Sequence, residues 1–202
     1  MSPQRYPSVA LSRPFPSRYG VPVVRAVDPR LFRLTYFTHC LACDWCHDQC
    51  CEHGVDVDVV HYEAIMRHAD RLERFSGIPR ARWFVKGREE DDEVPGGAST
   101  RTRVRRGRCV FLRRNGRGCQ IHAFCLSEGI DYHDLKSVVD CLFPITFADG
   151  ILCPADEVTD RSLVCTGVGP TLYRGLRGEL AYYFGDAFVA ELDRLERAAA
   201  AT

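Results

Sequence analysis

The chain has 202 residues, 46% hydrophobic and 27% charged, with 27 basic side chains against 27 acidic ones. That length can bury a core as one domain with appendages, and a net charge of zero argues against a general binder of nucleic acid or membrane surfaces. No apolar run approaches the roughly 18–20 residues that cross a bilayer, and the proline-broken N-terminus lacks the apolar stretch of a secretory signal, so the expectation is a soluble cytoplasmic protein.

Residues 1–30 hold six of the eleven prolines and read as an extended arm. Residues 31–37 alternate apolar and polar side chains as a strand does. Asp56 or Asp58 can cap a helix over residues 59–75, in which Val59, Ile65, Met66, Ala69 and Leu72 keep helical spacing; Gly77 and Pro79 end it. A short strand is expected at 82–86, and the acid-rich stretch 89–100 reads as an exposed loop. Residues 102–112 and 118–121 read as a hairpin turning at Asn115-Gly116, and 141–147 with 151–153 as a second one around Asp149-Gly150. From residue 171 onward Leu172, Leu176, Leu180, Phe184, Phe188, Leu192 and Leu195 recur every three or four residues. Gly185-Asp186 splits that stretch into two helices, with Asp186 as the second cap.

The expected fold is therefore α+β: a small metal-stabilised domain with short hairpins, a central helix and C-terminal helices packed around a cysteine cluster. Its expected organisation is an arm (1–30), a metal-binding domain (31–170) and a helical segment packing on that domain (171–202).

Eleven cysteines are the chemical signal. In a chain without an export signal thiols stay mostly reduced, so a dense, odd-numbered set reads as metal binding before disulfides. Cys40, Cys43, Cys46 and Cys50 reproduce the C-x2-C-x2-C-x3-C spacing of bacterial ferredoxins, in which each short gap turns the next thiolate back toward one centre. Cys51 stands where a proline usually follows. Side chains of adjacent Cys50 and Cys51 tend to point apart, and a disulfide between them is strained. They suit two metal ions, or one ion and a reactive thiol.

His39, His53 and His122 lie near these cysteines in sequence and read as supporting or surface histidines; His47, His61, His68 and His133 carry no signal. Cys125 and Cys153 read as core thiols, which is also the competing reading for Cys109, Cys119 and Cys141. The run Arg101, Arg103, Arg105, Arg106, Arg108, Arg113, Arg114 and Arg117 contains no acid. It reads as a phosphate-binding ribbon or as a solvated hairpin offsetting thiolate charge, and the second is favoured because Phe111 is the single aromatic there for stacking. No phosphate loop, nucleophile elbow or His-Glu-x-x-His helix occurs, and nothing marks Glu63 or Asp131 above other carboxylates, so no catalytic residue is assigned.

The block Cys43-x2-Cys46-x3-Cys50-Cys51, followed by a helix with Glu63, by Cys109-Val-Phe-Leu, by Gly118-Cys119-Gln-Ile-His122, by Cys141-Leu-Phe-Pro144-Ile and by a late Cys165, resembles the YkgJ-type cysteine cluster family of zinc- or iron-chelating CxxCxxCC proteins. Three residues precede the paired cysteines here, where the family commonly has two. The resemblance implies Cys43, Cys46, Cys50, Cys51, Cys109, Cys119, Cys141 and Cys165 as ligands, enough for two tetrahedral zinc sites or two four-cysteine clusters. Cys40, Cys125 and Cys153 are then spare, although the ferredoxin-like run promotes Cys40. The expected cofactor is an iron–sulfur cluster or iron, with zinc as the alternative, and the expected role is redox or metal maturation. The alternatives are a structural zinc protein whose surface binds nucleic acid or protein, and a protein-modifying enzyme related to flagellin lysine methylases, which carry a similar cysteine block.

Overall fold

The structure is a computed structural model that describes residues 8–38, 43 and 45–200. Its strands are β1 (Val9–Pro16), β2 (Val23–Val27), β3 (Thr35–Tyr36), β4 (Asp56–Asp58), β5 (Glu89–Glu90), β6 (Ala98–Arg101), β7 (Ile145–Ala148), β8 (Ile151–Pro154) and β9 (Thr166–Thr171). Its helices are α1 (Val59–Arg67), α2 (Ala69–Ser76), α3 (Gln120–Glu128), α4 (Val138–Leu142), α5 (Asp156–Thr159), α6 (Leu172–Phe184) and α7 (Asp186–Ala200). The mixed α+β class is as expected. Among the described residues no helix is long and apolar enough to cross a membrane.

The chain divides into two compact units, Met1–Thr38 with Leu142–Thr202, and His39–Cys141. This replaces the expected division at 30/31 and 170/171. Residues 8–30 are not an extended arm. β1 and β2 are antiparallel and join β8 and β7 in a sheet of order β1-β2-β8-β7. Leu11, Phe15, Val24 and Val27 are buried. Pro14 and Pro16 fit because β1 is an edge strand, where a missing N–H breaks no interior ladder bond. The β7–β8 hairpin forms around Asp149-Gly150, both at positive φ (53° and 70°), as a two-residue primed turn requires. Its first strand begins at Ile145, because Cys141 lies in α4.

Residues 31–37 are mostly not a strand. Asp28 accepts hydrogen bonds from Arg30 N (2.8 Å) and Arg30 Nη2 (2.7 Å) and starts a single 3-10 turn over Pro29–Phe32, leaving Thr35–Tyr36 to pair with β9. The two C-terminal helices form as expected, divided at Gly185, but Asp186 lies within the first turn of α7 and does not precede it. Their apolar faces are used inside this unit: Phe188 meets Phe15 (centroids 5.2 Å) and Tyr173 meets Phe32 (5.5 Å). Ser12 N and Oγ donate to the Glu191 carboxylate, tying the edge strand to α7.

The second unit is built on Val57, Ile65, Leu72, Trp83, Phe111, Phe124 and Leu135. Asp58 caps α1 by accepting from His61 N (3.0 Å) and also meets His61 Nδ1 at 2.7 Å, while His61 Nε2 donates to the His133 carbonyl at 3.1 Å. Both side chains are buried. The single helix expected over 59–75 breaks at His68, whose φ and ψ of −97° and 9° separate α1 from α2; nothing in the local sequence explains the break. Gly77, at φ 66°, donates to the Glu73 carbonyl and closes α2.

Residues 82–86 form only one bridge, Phe84 with Thr102. Glu89–Glu90 is a charged edge strand of a β4-β6-β5 sheet rather than part of a loop, and charge on an edge discourages further strand pairing. The hairpin expected over 102–121 reduces to the bridges Val104–Cys109 and Leu112–Cys119, and α3 starts where its second strand was expected. Ile121, Phe124 and Cys125 recur at helical spacing and are buried, so period 3.6 prevails over the Asn-Gly turn signal.

Two outcomes test this packing. Asp58→Ala removes a cap and leaves a buried imidazole without its carboxylate, and should lower unfolding free energy by about 2–4 kcal/mol in urea titrations. Asp193 is held down to about 2, first by hydrogen bonding to Arg177 and then to Tyr173. Its folded value lies below the unfolded one, so its stabilisation is complete above about pH 4 and fades as pH falls toward 2. Asp193→Asn should therefore be less stable than the parent at pH 7, and the difference should shrink progressively in urea titrations repeated between pH 4 and 2.

Candidate metal centre

Cys43 and Cys46 are 1% and 4% exposed, and their sulfur atoms lie within 4.8 Å of one another. Two intervening residues allow this approach, and the chain turns sharply just after it. His47 and Asp48 both have positive φ (52° and 59°), a conformation that aspartate tolerates better than most residues. Gln49 N donates to the Cys46 carbonyl (3.2 Å), and Cys51 N to the Asp48 carbonyl (2.9 Å).

A guanidinium from a distant part of the unit covers the pair. Arg117 Nη2 donates to Cys46 Sγ at 2.8 Å and stands 3.4 Å from the Asp48 carboxylate. Gly118 N donates to the same carboxylate at 3.4 Å. Arg117 Nε is buried without an acceptor among the described residues. Burial pushes the Cys46 thiol above its ordinary range, and its hydrogen bond with Cys43 adds to this while Arg117 opposes it. Cys46 thus keeps its proton at neutral pH until a stronger positive charge displaces it.

Cys50, Cys51, Cys109, Cys119 and Cys141 do not join this pair in a compact group. Cys50 and Cys51 lie on a half-buried 3-10 turn with their sulfurs 4.0 Å apart, closer than adjacent side chains were expected to come. Among the described residues no disulfide forms. Cys109 N donates to the Cys51 carbonyl (2.9 Å), and its thiol donates to Thr102 Oγ1 (3.4 Å). Burial raises the Cys109 thiol and pushes Cys119 up to about 12, and the Asp140 carboxylate adds to both. Cys109 and Cys119 therefore share one electrostatic neighbourhood. Cys141 is buried near the end of α4, its sulfur 3.7 Å from the Lys136 carbonyl. Cys165 is buried in the other unit, where its carbonyl accepts from Phe37 N.

Cys125 and Cys153 are fully buried, on α3 and β8, as core thiols. Cys40 and His39 lie outside the described residues. His53 is exposed, His122 lies tilted against Tyr132 (centroids 4.9 Å), and Glu63 is exposed. Asp131 accepts from His133 Nδ1 at 2.6 Å. Sequence reasoning missed Asp48 and the covering role of Arg117, since no spacing signal links residues so far apart in the chain. It also gave no weight to His61, which is the buried partner of Asp58.

No protein-family model, curated protein or solved structure matches this chain.

Burial also pushes the Cys125 thiol up to about 11. The thiolate is the reacting form, so native protein at pH 8.5 should leave Cys125 unmodified by iodoacetamide, while protein in denaturant should react fully, as read by peptide mass spectrometry. Because the folded value lies above the unfolded one, the associated stability is intact below about pH 9 and is lost as pH rises toward 11.

Proposed function

We propose that this is a metal-binding protein whose centre uses Cys43 and Cys46 as thiolate ligands. The observation that carries the reading is the buried pair of sulfurs within 4.8 Å of one another, on a two-residue spacing and beneath a guanidinium. Two thiolates on one tetrahedral ion, each at about 2.3 Å, stand about 3.8 Å apart. In a cubane cluster each thiolate binds a different iron, which sets the sulfurs wider. The pair thus favours a single zinc or iron ion.

The ferredoxin-like run with Cys40 and Cys50 supports the second reading, an iron–sulfur cluster with a redox or maturation role. The resemblance to the YkgJ-type cysteine cluster family supports either metal. It supplies the candidates that complete coordination: Cys165, and Cys50, Cys51, Cys109, Cys119 and Cys141. Bound metal would contribute directly to folding, and as zinc it would make the cysteines a scaffold for an interaction surface. The analogy to flagellin lysine methylases rests on the cysteine block alone.

Elemental analysis and a visible spectrum of protein purified without oxygen test the reading. Zinc in a colourless sample, or iron without sulfide, supports the single ion; iron with stoichiometric sulfide and broad absorption near roughly 400 nm supports the cluster. Cys43→Ser and Cys46→Ser should each lower metal content and melting temperature together, whereas Cys153→Ser should leave metal content intact. A Cys43→Ser/Cys46→Ser double variant with unchanged metal would remove these residues from the site, and unchanged metal in Cys165→Ser would remove that one.

Because metal must displace the raised proton of Cys46, uptake should release protons and weaken as pH falls. Arg117→Gln should weaken metal retention against a chelator by about 10–100-fold, the usual effect of losing a hydrogen bond to a ligand.

A further inference from the structure

The basic segment 101–117 leaves part of its charge uncommitted. Arg101 pairs with Asp56 (2.6 Å), Arg103 donates to the Phe84 carbonyl (2.6 Å), and Arg117 is held by Cys46 and Asp48. Arg105, Arg106, Arg108 and Arg114 are exposed and form no ion pair among the described residues. Cations of one sign kept close together without partners attract polyanions, most strongly at low salt.

The same segment borders a cleft of about 360 Å³. The end of α2 supplies Phe75 to its lining and the residues just past it supply Ile78, the 113–115 turn supplies Arg113, Arg114 and Asn115, and the first turn of α3 supplies Gln120. Phe75 is 42% exposed, although it packs edge-on against Phe124 (centroids 5.6 Å, planes at 66°). That contact orients the ring and leaves much of it open. Arg113 is preset: it donates to the Arg117 carbonyl at 3.4 Å, and its guanidinium carbon would stand 3.1 Å from a Cβ at Gly116. Phe111, the aromatic within the basic run, is 1% exposed and cannot stack. Folding instead brings in a ring from far upstream in the chain.

We infer that this cleft binds single-stranded nucleic acid, with one unstacked base against Phe75, the Asn115 and Gln120 amides at its edge, and Arg113 and Arg114 on the flanking phosphates. Arg105, Arg106 and Arg108 add longer-range attraction. A planar ring beside guanidiniums is how proteins hold single strands, because every base has a face to stack and every linkage a charge to neutralise. An acidic peptide would engage the arginines and leave the ring and amides unused. A duplex is read by an element that enters a groove, not by a concave site. None of the lining residues is a thiol, so the inference stands apart from the metal reading.

Fluorescence anisotropy of the full chain, in its purified metal state, with labelled twelve-residue oligouridylate and oligothymidylate provides the test. Binding to at least one is expected at 50 mM salt, weakening at 200 mM; the arm that binds more tightly identifies RNA or DNA as the source. Phe75→Leu keeps apolar bulk against Phe124 but removes the stacking face, and should weaken binding roughly 5- to 100-fold, while Phe75→Tyr should retain it. Arg113→Gln/Arg114→Gln should weaken binding and flatten the salt dependence. No binding to either oligomer at 50 mM salt overturns the inference. So does binding that Phe75→Leu leaves unchanged, or that an oligo-aspartate competes for equally, since either outcome reduces the surface to bare electrostatic attraction. A thermal melt of each variant separates loss of the site from loss of the fold.

Discussion

Two thiols taken out of water side by side are the constraint around which the second unit is arranged. A buried thiolate needs hydrogen-bond donors and positive charge nearby. Arg117 supplies both to Cys46 from a position far along the chain. That reach requires the chain to return, and Asp48 makes the return specific by pairing with Arg117 and accepting from Gly118 N. The Cys51 carbonyl, bonded to Cys109 N, makes a further tie between the cysteine loop and the basic segment. The loop is therefore held by polar bonds to another segment, with little regular structure of its own.

The basic segment is irregular for a related reason. Eight arginines without an acid repel one another when ranged along a strand pair, and the expected long hairpin shortens to two isolated bridges. What anchors the segment is apolar: Phe111 lies against Trp83 (5.6 Å) and Phe84 (6.0 Å). Some guanidiniums are taken up by a carbonyl, a carboxylate and a thiol, and others form no ion pair among the described residues. One segment thus serves two chemistries, covering the cysteine pair and presenting free cations beside an open aromatic ring.

Much was legible locally. Asp58 and Gly77 mark helix ends through capping and left-handed geometry, which act within four residues. The Asp149-Gly150 turn and the leucine and phenylalanine repeat of the last two helices are also local signals. Some of the expectations that failed involved partners far apart in sequence. Prolines that read as an arm are accommodated because the strand bearing them sits at a sheet edge. Helix α3 was hidden behind an Asn-Gly signal that ended a different piece of chain.

The sequence by itself determined the α+β class and the two-residue spacing that lets Cys43 and Cys46 approach, because composition, spacing and periodicity are properties of neighbouring residues. Only the tertiary structure decided that Cys43 and Cys46 stand together without Cys50, that Arg117 covers them, and that Phe75 rather than Phe111 is the exposed ring. Those outcomes depend on which buried groups compete for the same space and the same hydrogen bonds. Spacing along a chain carries no record of that competition.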